Sequence, residues 1–317
     1  MKLFNEAKDT LKEACKTTFW LLKIMIPISI IVKILSEFGI ITIIGDYLSP
    51  AMNVVGLPGD FGLVWATTMI TNIYGGLVVF FNLSLLNSYT VAQVTVLACM
   101  MLFAHTLPVE ARIAQKAGVR LWFILSLRIF MALLLGFILN IIFITFHLFE
   151  NENTLLWQPE IADPTLTQWA LGELRNYLMI FLIILGLMTL MRILRKSGIM
   201  DRLNNFLKPG LRILGMSKEA APITIIGMTL GLAYGGGLIV KEAKSKILSK
   251  KDVFLSLSLM GLSHSLIEDT LLMVAIGASL VGILFGRILF TIIVMFILIR
   301  IINRLSKKVF EKYFVNY

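Results

Sequence analysis

GLSHSLIEDT, residues 261–270, interrupts a run that is otherwise apolar: VFLSLSLM (253–260) precedes it and LLMVAIGASLVGILF (271–285) follows. Ionisable side chains at bilayer depth cost roughly 2.5–3.5 kcal/mol each on insertion scales, so they are rare and usually serve a function. His264, Glu268 and Asp269 therefore need an explanation. An earlier stretch, AHTLPVEA (104–111), has the same outline, with His105 and Glu110 in an apolar setting.

The whole chain shares the character of these flanks. Of its 317 residues 58% are hydrophobic and 15% charged, with a mean hydropathy of +0.87, where a soluble domain carries about 25% charged residues. Several apolar runs reach the ~18–20 residues that cross a bilayer. The chain reads as an all-α polytopic membrane protein. Its basic N-terminus leads into a long apolar run from Phe19 with no small-residue cleavage site, which argues against a cleaved signal peptide. Cys15 and Cys99 fit neither a disulfide framework nor a metal spacing.

A repeat organises the chain. SEFGIITIIGDYLSP (36–50) aligns with RKSGIMDRLNNFLKP (195–209), and IYGGLVVF (73–80) with AYGGGLIV (233–240). His105 pairs with His264, Glu110 with Asp269 and Arg128 with Arg287, each at an offset of 159 (264 − 105). The reading divides the chain into a first repeat at 1–150, an extracytoplasmic connector at 151–176 and a second repeat at 177–317.

Charge sets the expected topology. Lys2, Lys8, Lys12 and Lys16 place the N-terminus in the cytoplasm, and Arg304, Lys307 and Lys308 do the same for the C-terminus. Spans are expected at about 18–36, 89–107, 120–147, 176–194, 253–275 and 282–303. All loops obey the positive-inside rule only if the segments at 61–83 and 220–240 enter and return on one side. Each half then has three spans, a re-entrant Gly-rich segment and an amphipathic helix (41–57 and 199–216), and the halves are inverted. Many secondary transporters are built so, with their sites near the midplane.

The Gly-rich tips, Asn72 with Tyr74-Gly75-Gly76 and Tyr234-Gly235-Gly236-Gly237, are candidate substrate-binding elements, since bare backbone there can approach a solute. The alternative is helix packing: Gly227, Gly231 and Gly235 form a small-residue ladder matched by Thr67, Thr71 and Gly75. Asn72 either binds solute or satisfies the turning backbone. His264 and Glu268, four apart, fall on one helical face, while Pro108 is expected to break the helix between His105 and Glu110. A His–carboxylate set suits proton coupling or solute binding. Arg128 and Arg287 can neutralise these carboxylates or clamp an anion. The structural alternative is that they only hold spans together. A metal site at His264 and Glu268 is a weaker reading, because no cysteine accompanies them.

The net charge of +10 is explained by cytoplasmic loops and headgroup contact rather than nucleic acid. No nucleophile elbow or Walker loop is present, so no enzyme and no cofactor are expected. The expected partners are a small polar solute and membrane lipids, in the cell membrane; a homo-oligomer is compatible with this reading.

The YGG segments, the spans ending in AHTLPVEA and SHSLIEDT, and the Arg-bearing spans after them resemble the nucleoside-recognition, or Gate, domain family in two copies. Gates of ferrous-iron transporters, concentrative nucleoside transporters and spore-maturation membrane proteins are looser kin. The resemblance implies a transport-type membrane domain and leaves the cargo open. A non-transporting scaffold or a divalent-metal permeation gate are the rival expectations.

Overall fold

The computed structural model describes residues 2–84, 88–155, 165–231, 238–243 and 248–315. Among them every named element is helical: α1 Lys2–Glu37, α2 Ile40–Val54, α3 Phe61–Ile70, α4 Ile73–Ser84, α5 Val91–Phe103, α6 Leu107–Lys116, α7 Leu121–Thr145, α8 Leu166–Lys196, α9 Ile199–Ile213, α10 Ala220–Leu230, α11 Lys250–Leu262, α12 Glu268–Ala275, α13 Arg287–Arg304 and α14 Lys307–Tyr313. A π-helical turn at Val281–Gly286 runs directly into α13.

Five helical stretches are long and apolar enough to cross a membrane: Lys8–Glu37, Val91–Lys116, Leu121–Thr145, Leu166–Lys196 and Val281–Arg304. The chain is an all-α polytopic membrane protein. The expected span at 253–275 is not one of the five. It is cut into α11 and α12, which end and restart on either side of Ser263–Ile267. Nor does the loop after α7 reach 176, since α8 starts at Leu166.

Burial sorts the helices. In α5 every residue from Val94 to Phe103 is buried, and in α11 every residue from Asp252 to Leu262. By contrast α1, α8 and α13 carry exposed apolar faces, among them Phe19, Ile30, Leu178, Leu182, Leu289 and Phe296. With lipid as the outer solvent that pattern is stable, because apolar side chains gain nothing by leaving hydrocarbon. Thus α5 and α11 form the centre, in contact with each other, and α7 also packs on both.

The segment 61–83 folds as two half-length helices. At 1.5 Å per residue α3 is about 15 Å long and α4 about 18 Å, each near half of a ~30 Å hydrocarbon core. They pack on each other and join at Thr71–Asn72.

Backbone conformation recurs along the chain at the sequence offset. Left-handed residues stand at Gly39, Gly56, Thr106 and Gly118, and again at Gly198, Gly215, Ser265 and Gly277, each 159 residues on (for example 277 − 118). Helix starts do likewise. Thr90 caps α5, accepting from the Gln93 N–H, and Ser249 caps α11, accepting from the Asp252 N–H.

Candidate functional site

Both central helices stop at a histidine. In α5 the last residue is Phe103; Ala104 ends the helix, and Thr106 adopts φ 51 before α6 begins with Pro108 in its first turn. In α11 the last residue is Leu262, and Ser265 adopts φ 47 before α12. The expected break at Pro108 is therefore present, displaced to the residues just before it. The expectation that His264 and Glu268 share a helical face is overturned. The chain leaves the helix between them, so the i, i+4 spacing no longer applies.

Each break is anchored on a half-length helix. The Thr106 N–H donates to the Thr68 carbonyl of α3 at 3.1 Å, and the Leu266 N–H to the Met228 carbonyl of α10 at 2.9 Å. Freed backbone groups are thus satisfied by protein, as the apolar surroundings require. The breaks meet. His105 Nε2 lies 2.9 Å from His264 Nε2, across 159 residues of chain. The other ring nitrogen of each points back along its own helix: His105 Nδ1 to the Met101 carbonyl at 3.0 Å, His264 Nδ1 to the Met260 carbonyl at 2.7 Å.

Carboxylates and guanidinia surround the pair. Glu110 Oε1 is 3.2 Å from His264 Nε2 and 3.7 Å from His105 Nε2, while its Oε2 is paired with Arg128. Arg128 also donates from Nε to the Phe103 carbonyl at 2.8 Å. Asp269 Oδ2 is 4.0 Å from His105 Nε2 and has no hydrogen-bond partner among the described residues. Arg287 donates to the His264 carbonyl, yet among the described residues its Nε and Nη1 are buried without partners, as is Nη2 of Arg128. Both arginines are at most 1% exposed. Glu268 is half-buried and sits within electrostatic reach of Asp269 and Tyr74.

The first Gly-rich tip has a packing role. Asn72 Oδ1 accepts from the Gly75 N–H at 2.9 Å, which satisfies the start of α4. A Cβ on Gly76 would stand 1.8 Å from Thr68 Oγ1, so α3 and α4 close on each other only because that position is bare. Tyr74 lines a cavity of about 100 Å³ with Phe81, Ile180, Ile183 and Leu272. Tyr234, Gly235, Gly236 and Gly237 lie outside the described residues.

A second buried polar group escaped the sequence reading. Glu173, within the expected extracytoplasmic connector at 151–176, is buried in α8, where Ser29 Oγ donates to it at 2.7 Å and Asn82 Nδ2 at 3.4 Å. The available signal was weak: a single acid little more than one turn ahead of the long apolar run from Leu178.

Residues 177–284 match the Gate domain family, described as nucleoside recognition. The chain is also similar to a protein of Bacillus subtilis (strain 168) named "Uncharacterized membrane protein YvoD", with 28% identity over 281 residues, 86% of this chain and 87% of that one. No solved structure matches. The matched stretch, 177–284, takes in most of α8, all of α9 to α12 and the His264 break, and over it the chain is similar to the Gate family of nucleoside-recognition domains.

Proposed function

We propose that this chain is a secondary transporter or exchanger of a small polar solute, nucleoside-like or a small organic anion, which binds between the two halves. One observation carries the reading: the two most buried helices each break at a histidine, and the breaks bring six ionisable side chains together across the halves. Ionisable groups at membrane depth mark solute pathways, and broken helices are the usual way to place them there. Arg287 Nε and Nη1 and Arg128 Nη2 remain available to an oxygen acceptor, and a guanidinium suits planar or anionic oxygen groups. The role is binding and passage rather than chemistry on the solute.

The recurrence of left-handed residues at one offset supports two copies of one unit, and the loop charges support copies of opposite orientation with both termini cytoplasmic. In this arrangement α3 with α4 is a re-entrant hairpin.

Uptake of labelled nucleosides and small carboxylates into proteoliposomes tests the function. Saturable uptake of one class, lost at least tenfold in Arg287→Met with Tm little changed, is the expected result. No uptake of any tested solute, with the halves intact, favours a scaffold instead. For topology, a single cysteine at Ser249 in a cysteine-free background should label only from the cytoplasmic side.

A further inference from the structure

The two facing histidines pose a problem of lone pairs. A carbonyl oxygen only accepts, so the Met101 and Met260 carbonyls require N–H at Nδ1 of His105 and His264. A neutral imidazole with its proton on Nδ1 has a bare lone pair on Nε2. Two such lone pairs then face each other at 2.9 Å in a buried site, which repels unless a Lewis acid lies between them.

We propose that this acid is a divalent first-row transition-metal ion, held by His105 Nε2, His264 Nε2, Glu110 Oε1 and Asp269 Oδ2, and that it clamps the two halves together. Four-coordinate sites of such ions place donors about 2.0–2.1 Å from the metal, hence about 3.3 Å from one another. The measured separations bracket that edge: 2.9 Å between the histidines, 3.2 and 3.7 Å from Glu110 to them, 4.0 Å from Asp269 to His105. The donors of His105, His264 and Asp269 all lie within 4.8 Å of one another. Small shifts of side chains close the set.

Three further observations fit a metal. Ligating histidines commonly donate their other N–H to a backbone carbonyl, which fixes tautomer and ring plane, and both of these do. Arg128, on the other oxygen of Glu110, holds that carboxylate toward the pair. Asp269 Oδ2 is buried without a hydrogen-bond partner, and a metal would occupy it. A proton bridging the two rings would relieve the lone pairs and leave Asp269 as it is. Imidazole and carboxylate together suit Zn²⁺, Co²⁺ or Fe²⁺ rather than Ca²⁺ or Mg²⁺. Glu268, the partner considered from sequence, is outside the set.

The test uses full-length protein in detergent, stripped with chelator and titrated with Zn²⁺ or Co²⁺. One ion per chain should bind, raise Tm and, for Co²⁺, give the intense visible bands of a four-coordinate ion. His105→Asn and His264→Asn should abolish the bands, and Asp269→Asn should weaken binding at least tenfold. His264→Cys should keep binding and add a thiolate-to-cobalt charge-transfer band, which a merely structural histidine cannot produce. Stripped wild-type protein that binds no ion, or ion binding unchanged in both asparagine variants, overturns the proposal. So does a proton found shared between the rings of metal-free protein whose Tm no metal raises. Because binding is read and not uptake, the transport reading stands or falls separately.

Discussion

The two halves bring matching residues to the centre and use them differently. In the first, Glu110 and Arg128 form a buried ion pair, and Arg128 spends a further N–H on the Phe103 carbonyl. In the second, among the described residues, the counterparts Asp269 and Arg287 form no such pair; Arg287 keeps one bond, to the His264 carbonyl, and two of its nitrogens have no partner. The backbone around them is alike, with Thr106 and Ser265 both left-handed. What differs is local. Asp269 has a shorter side chain than Glu110, and the helix bearing Arg287 begins in a π turn. The first half offsets desolvation with a closed ion pair, and the second with the single bond from Arg287 to the His264 carbonyl. A closed pair fixes geometry, whereas the second half leaves Arg287 donors without a partner among the described residues.

Breaking the closed pair should have the largest effect. Arg128→Met leaves Glu110 buried and unpaired and is expected to cost about 3–5 kcal/mol. Arg287→Met removes one charged hydrogen bond, about 1.5–3 kcal/mol, and at the same time relieves two unsatisfied donors, so its net cost should be clearly smaller. Thermal unfolding of both purified variants decides the point. Equal losses would mean that Arg287 has a partner in solution and that the asymmetry is not real.

The α3–α4 junction of the first half gives the next test. Gly76→Ala forces a Cβ toward Thr68 Oγ1 and should cost about 1–3 kcal/mol by overpacking. Gly186→Ala in α8, where nothing lies within 4 Å, should instead be neutral or stabilise by up to about 1 kcal/mol. A harmless Gly76→Ala, judged by Tm, would show that the two half-helices separate readily.

Helix caps should respond alike in both halves. Thr90→Ala and Ser249→Ala each remove a matched N-cap and should cost about 1 kcal/mol. A large difference between them would extend the asymmetry beyond the centre. The smallest effect is expected at Asp269. In chelator-stripped protein Asp269→Asn should leave Tm nearly unchanged, since Oδ2 has no hydrogen-bond partner among the described residues and an amide oxygen can keep the contact with Ser265, whereas Glu110→Gln should lower it markedly. A steep loss in stripped Asp269→Asn would close the open side.

Much of this was legible in the sequence because it depends on local chemistry. Apolar run length gave the membrane class, and Pro108 signalled the α5–α6 break, since proline cannot continue a helix from the residues before it. The second break carries no proline or glycine. SHSLI leaves the helix because the Leu266 N–H finds the Met228 carbonyl of another helix, a partner that periodicity does not reveal. For the same reason the i, i+4 reading of His264 with Glu268 failed.

Residue types at fixed spacing, then, determined by themselves which side chains are unusual in lipid, that they come in matched sets 159 residues apart, and where one helix must stop. Only the tertiary structure decided which of them meet. His105 faces His264 and Glu110 reaches both, while Arg287 and Asp269 form no ion pair among the described residues; Glu173 is drawn inward to Ser29. The reason is physical. Propensity and hydropathy act over a few residues, whereas a contact across 159 residues is fixed by how whole helices pack, and similar stretches of sequence can end with their charges paired in one place and not in the other.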